Sequence, residues 1–206
     1  MSLHCPATLL VARHGEADYA RPGVLSDEGG QLSPVGRAQV ADLARAVADE
    51  RVAAVYCSSM SRAEESADIV AEALDVCWEP DPALVEVRVG SCAGRPVGDP
   101  SFQRPFDAWL VGDLDARIPG GESGLEVVAR LREVLLGIAD QHRGEQVVVI
   151  AHGGLLAVGL PALAGNVPAD LAVGAPLPNA TPVRLEIGDH GWRLGAWPGA
   201  AAHLAS

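Results

Sequence analysis

Arg13-His14-Gly15-Glu16 sets a guanidinium beside an imidazole, directly after the apolar run Thr8-Leu9-Leu10-Val11-Ala12. A cation held next to an imidazole suits a nucleophilic histidine facing an anion. Gly15 reads as the residue that lets a ligand approach the backbone closely. Two other positions offer matching chemistry: Arg62, after Cys57-Ser58-Ser59-Met60-Ser61, and His152, ahead of Gly153-Gly154. Taken singly, each has a structural reading, as a hydrogen-bonded core histidine or a solvated arginine at a helix start. A zinc site on His14 and His152 is a third reading. Arg13 and Arg62 would repel a dication and no third ligand has convincing spacing, so no metal is expected.

The elements decide whether these residues meet. A run as apolar as 8–12 reads as a strand buried on both faces of a parallel sheet. Val147-Val148-Val149-Ile150-Ala151 reads the same way, and further strands are expected near 52–57, 75–79, 182–187 and 191–196. Helices alternate with them. Ser33-Pro34 fits an N-cap followed by proline at the first helical position, with Val40, Leu43 and Val47 at helical spacing behind it. Ser61-x-x-Glu64 and Ser123-x-x-Glu126 both fit capping boxes. The second opens a helix with Leu125, Val128, Leu131, Leu135 and Ile138 inward and Gly144 at its C-terminal cap. Another helix is expected from Gly153-Gly154.

This alternation predicts an α/β fold, a three-layer α/β/α sandwich with a mostly parallel central sheet and a small cap segment. Open sheets of this kind bind ligands at the carboxyl ends of their strands. His14, Arg62 and His152 all follow predicted strands, so parallel strands would bring them to one sheet edge. Arg62 and His152 would also stand beside helix N-termini, whose free N–H groups favour an anion.

The chain of 206 residues fits a single domain, residues 1–206. Residues 90–120 read as the cap, and 198–206 as a mobile tail. A formal net charge of −12 argues against nucleic acid and against an anionic membrane surface. All 15 basic residues are arginine, which excludes Schiff-base and P-loop lysine chemistry. It also means that each arginine has to be argued from its position. Cys5, Cys57, Cys77 and Cys92 form no C-x-x-C pair, and reduced thiols in a cytoplasmic protein are expected. No segment is long enough to span a membrane. The last two predicted strands suggest an edge hairpin that offers a surface for a homodimer.

The chain resembles the histidine phosphatase superfamily, also called the phosphoglycerate mutase-like family, from about residue 8 to 187. Six blocks carry the resemblance in order: Arg13-His14-Gly15-Glu16, Leu32 to Gln39, Cys57 to Ala63, Leu84-Val85-Glu86 with Gly90 and Gly94, Pro119 to Ser123, and Ala151-His152-Gly153-Gly154. Two departures stand out. Ala20 replaces an asparagine frequent in the family, and Cys92-Ala93 replaces an aromatic-acid pair at the pocket mouth.

The resemblance implies phosphomonoester hydrolysis without metal or cofactor. It makes His14 the nucleophile through a phosphohistidine, and Arg13, Arg62 and His152 the donors to the phosphoryl oxygens. It makes Glu86 the proton donor; without the resemblance Glu86 reads as a solvated acid. Arg13, Arg62 and Gly153 fall on the substrate side. The implied substrate is a small phosphorylated metabolite. Phosphoglycerate mutase-type transfer and phosphoester binding without turnover are the alternatives. Phe102, Phe106 and Trp109 fit either an apolar mouth or a helix packing its own core. Arg88, Arg95, Arg104 and Arg117 fit a reader of a second acidic group or plain surface positions. Asn179, before Ala180-Thr181, is a further candidate to turn toward the pocket.

Overall fold

A β-branched and leucine-rich segment with no charge in its middle has one stable place in a small domain, the centre of a sheet. In the computed structural model, which describes residues 5–200, Ala7–Arg13 forms such a strand, β1, buried along nearly its whole length. In chain order follow β2 (Ala17–Asp18), β3 (Gln31–Leu32), α1 (Pro34–Ala46), β4 (Val52–Ser58), α2 (Ser61–Leu74) and β5 (Trp78–Asp81). Next come α3 (Pro100–Leu110), α4 (Gly124–Gln141), β6 (Gln146–Ala151), α5 (Gly153–Leu163), β7 (Val183–Gly188) and β8 (Gly191–Leu194).

The main sheet has the order β5-β4-β6-β1-β7-β8. β1, β4, β5 and β6 run parallel, while β7 and β8 run antiparallel at one edge. Alternate residues feed two cores. Leu10 and Ala12 of β1 and Val148 and Ile150 of β6 join Val40 and Leu43 of α1 and Ala67 and Val70 of α2. Leu9, Val11, Val147 and Val149 join Leu131 and Leu135 of α4 and Leu155 and Leu156 of α5. This is the three-layer α/β/α arrangement expected, and it puts the carboxyl ends of β1, β4 and β6 side by side. Among the described residues, no helix is long and apolar enough to cross a membrane.

Several boundaries differ from expectation, each for a local reason. β5 begins at Trp78 rather than at 75, because α2 runs to Leu74 and Asp75 terminates it in the left-handed region at φ 55°. Ser61 does not cap α2: Met60 holds the cap position without a side-chain bond, Ser61 is already helical, and its hydroxyl donates to the Gly30 carbonyl instead. Ser33 and Ser123 cap α1 and α4 as expected, the latter in a full capping box. Leu125 faces outward at 52% exposure, and Val127 and Val134 take the inward positions beside Leu131, Leu135 and Ile138. α4 ends at a cap on His142, and Gly144 lies beyond it in the turn before β6, at φ 77°. The two-residue strands β2 and β3 were too short to show any alternation.

Between 90 and 120, a short 3₁₀ turn at Gly90–Cys92 leads to α3, which Asp99 caps with Pro100 behind it. The 94–97 stretch is laced to 23–25 by backbone bonds, Gly94 N–H to the Leu25 carbonyl and Val97 N–H to the Gly23 carbonyl. Of the segment 198–206 expected to be mobile, 201–206 lies outside the described residues, and Ala200 N–H donates back to Trp197 across a turn.

Candidate active site

His14 sits one residue past β1 and is fixed from several sides. Its N–H donates to the Ala151 carbonyl at the end of β6, 3.0 Å away. Its carbonyl accepts from Asn179 Nδ2 at 2.8 Å. Asn179 thus holds the nucleophile candidate's backbone and acts as a positioning residue. The ring lies 2.6 Å from the Gly15 carbonyl through Nδ1. A carbonyl only accepts, so Nδ1 carries the hydrogen and Nε2 keeps a lone pair. Arg62 Nε donates to that lone pair at 2.9 Å.

Gly15 has a different purpose from the one its sequence suggested. A Cβ there would stand 2.5 Å from the Gly36 carbonyl oxygen and 2.8 Å from Val40 Cγ2. The glycine therefore admits α1 against the turn rather than admitting a ligand. Glu16 likewise faces away, accepting from the Ser33 hydroxyl at 2.9 Å and so tying the turn to the start of α1.

His152 follows β6 directly and holds the cap position of α5. Arg62 Nη2 lies 3.0 Å from its Nδ1, and the buried Ser58 hydroxyl of β4 lies 2.7 Å from its Nε2. The two imidazoles meet edge to face with centroids 5.1 Å apart. One guanidinium thus bridges both rings through two different nitrogens. Arg13 Nε and Arg62 Nη1 are buried without a hydrogen-bond partner among the described residues. Buried donors normally find an acceptor, so this pair marks a place suited to an anion's oxygens. Gly153 lies against the Arg13 side chain, where a Cβ would come within 3.3 Å of Nε, and Gly154 rather than Gly153 lines the cleft.

Glu86 closes the other side. Its Oε1 accepts from Val87 N–H at 2.9 Å and Leu155 N–H at 2.8 Å, and its Oε2 from Gly154 N–H at 3.0 Å. The free N–H groups at the start of α5 therefore go to this carboxylate, which the positive helix end favours. Gly154 permits the contact, since a Cβ there would be 2.8 Å from Oε1. Arg130 of α4 pins the Glu86 segment, donating to the Ala83 and Val85 carbonyls at 2.7 and 2.8 Å while held by Glu122. Sequence reasoning missed Arg130, Ser58 and the wall at 19–26. An arginine one position before the buried Leu131 was the available signal for Arg130.

An open cleft of about 380 Å³ adjoins this cage, with Arg13, Arg62, Glu86 and Gly154 at its floor. Phe102 and Phe106 line it, whereas Trp109 is buried and bonds the Ala116 carbonyl. Arg88, Arg95, Arg104 and Arg117 are exposed outside it. Arg95 pairs with Asp99, and Arg117 with Glu126. Arg21 lines the cleft, and so does Tyr19, over whose ring the Arg62 guanidinium carbon sits 5.5 Å from the centroid.

Burial, then the Arg62 and Arg13 charges, hold His14 down at about 3 despite its bond to Gly15. Burial and Arg62 likewise hold His152 well below the ordinary histidine value. Both rings are therefore neutral at physiological pH, as a nucleophile requires. The unfolded chain takes up these protons first as pH falls from about 6.5. The contribution of His14 to stability is complete above that value and declines as pH falls toward about 3, and His152 acts in the same direction. Chemical denaturation at pH 4.5 and at pH 7 should show the loss, up to about 1.4 kcal/mol per pH unit for His14.

Residues 9–198 match the family model of the histidine phosphatase superfamily, branch 1. A metal-independent phosphoserine phosphatase of Arabidopsis thaliana is 30% identical, over 96% of this chain and 83% of the relative. Phosphoglycerate mutase-like protein 4 of the same plant is 32% identical, over 73% of this chain and 68% of the relative. Among solved structures, a mycobacterial glucosyl-3-phosphoglycerate phosphatase in complex with VO3 superposes with a TM-score of 0.77 at 25% identity, over 94% of this chain and 99% of that one.

Proposed function

The chain belongs to the histidine phosphatase superfamily, and on that premise we propose that it hydrolyses small phosphomonoesters, without a metal ion, through a phosphohistidine at His14 Nε2. The observation that carries this reading is the bond from His14 Nδ1 to the Gly15 carbonyl, which leaves the Nε2 lone pair directed at Arg62. For attack, Arg62 turns its N–H from Nε2 to a phosphoryl oxygen. Nε2 forms a bond to phosphorus as the bond to the leaving oxygen breaks. Arg13 and Arg62 hold the phosphoryl oxygens; His152 joins them through Nδ1–H, in the tautomer whose Nε2 accepts from the Ser58 hydroxyl, once Arg62 Nη2 has turned from Nδ1 to the phosphoryl group. Positioning with charge stabilisation supplies most of the rate.

Glu86 serves the leaving oxygen. Its Oε1 already accepts two N–H bonds and its Oε2 only one. With two lone-pair sites on each oxygen, Oε2 has the room to carry the proton. That proton passes to the departing alkoxide. Glu86 then takes a proton from the water that attacks phosphorus, and the N–P electron pair returns to Nε2. The net result is an alcohol and inorganic phosphate. The two guanidinium groups supply the positive charge that a divalent ion would otherwise bring.

Transfer to a second hydroxyl is the competing reaction, and the stretch between Glu86 and Gly120 is short for shielding an intermediate from water. Release of inorganic phosphate from 4-nitrophenyl phosphate in excess EDTA tests the proposal. Undiminished release, inhibited by vanadate, is expected. Activity restored only by added divalent metal, or phosphoryl transfer without phosphate release, would overturn it.

A further inference from the structure

The cleft beside the cage has two unlike walls. One, from residues 19–26, carries the polar groups of Tyr19, Arg21 and Ser26. The other is built by Val87, Val89, Val97, Phe102 and Phe106, without one polar side chain. Phe102 and Phe106 lie nearly parallel, centroids 5.7 Å apart at 16°. Both are only partly buried, and Val97 is 65% exposed. Val87 and Val89 are buried behind them, so Val97, Phe102 and Phe106 form the part of this apolar wall open to water, and such a surface next to a reacting centre favours a ligand that covers it.

Resting on the hydrolysis proposed above, we infer that the alcohol portion of the substrate is apolar, an alkyl chain or aromatic ring seated on the Phe102–Phe106 wall. A zwitterionic or polyhydroxylated leaving group would fit poorly. Seated on the Phe102–Phe106 wall, a serine ammonium and carboxylate, or a row of sugar hydroxyls, would surrender water to a surface that returns no hydrogen bonds. Past Arg13, Arg62 and Glu86 at the floor, Arg21 is the one charged side chain among the described residues that lines the cleft.

The experiment compares kcat/KM across ethyl, butyl, hexyl and 2-phenylethyl phosphate with O-phosphoserine and 3-phosphoglycerate. The four alkyl esters have similar leaving-group basicity, so differences among them report the wall. Each methylene seated there is worth about fourfold, and 2-phenylethyl phosphate should exceed ethyl phosphate by about 10²-fold or more. In Val97→Asp, at an exposed position that the fold tolerates, and in Phe102→Ser, that ratio should fall at least tenfold. An equal loss for every ester in both variants would mean a structural role and overturn the inference. So would a flat alkyl series, or preference for O-phosphoserine or 3-phosphoglycerate, while leaving hydrolysis standing. If no ester releases phosphate, the hydrolysis proposal itself fails, and this inference with it.

Discussion

Replacing His14 with asparagine is expected to lower kcat/KM for 4-nitrophenyl phosphate by ~10⁴-fold or more, because loss of a covalent nucleophile leaves only binding and charge stabilisation. Asparagine suits the test. Its amide nitrogen can still donate toward the Gly15 carbonyl that His14 Nδ1 meets, while nothing remains at the Nε2 position. The turn should keep its shape, since the Ala151 and Asn179 bonds use His14 backbone atoms. Wild-type enzyme quenched in alkali during turnover should carry an acid-labile phosphoryl group, and His14→Asn should carry none. Turnover retained in the variant, or a label that persists in it, would move the nucleophile elsewhere.

The second large effect is at Arg62, where lysine should cost ~10²–10³-fold in kcat/KM. The charge is unchanged, so the loss tests geometry. Arg62 meets His14 through Nε at 2.9 Å and His152 through Nη2 at 3.0 Å, with Nη1 unpartnered among the described residues. A single ammonium at the end of a flexible stem cannot reproduce that planar fork. A chain whose basic residues are all arginine needs a control for arginine identity. Arg37, exposed and paired with Glu65, supplies it: Arg37→Lys should change kcat/KM by less than about twofold. Equal behaviour of the two variants would mean that position 62 needs only a positive charge.

The convergence at the sheet edge was legible because it depends on strand direction alone. β1, β4 and β6 are parallel, and His14, Arg62 and His152 each follow one of them. The apolar runs that predicted those strands are long and unambiguous. Glu86 was different. It lies in an irregular stretch after Leu84, where no periodicity marks a position, and its place is set by N–H groups of α5 68 and 69 residues later. Family resemblance singled it out where residue patterns could not. Arg130 escaped for a related reason: its carbonyl partners Ala83 and Val85 are 47 and 45 residues away, and a partly buried arginine on a helix face resembles a solvated one. Gly15 was misread because its neighbour Gly36 belongs to a helix, and a one-dimensional reading could not see that the two backbones touch. The Arg21 wall went unnoticed because the loop at 19–26 takes its place by bonding to 94–97, about seventy residues further along the chain.

One bond described above bears on how this protein comes into being. Asn179 reaches the His14 carbonyl across 165 positions, and Ala180 N–H adds a bond to the Arg13 carbonyl. During synthesis, β1 emerges first but can only be completed as the last strands arrive. Contacts this distant in sequence form slowly, so a nascent chain stalled before 179 would hold the helices of the sandwich without a set nucleophile. The backbone on either side of the nucleophile would be fixed only by residues that leave the ribosome late.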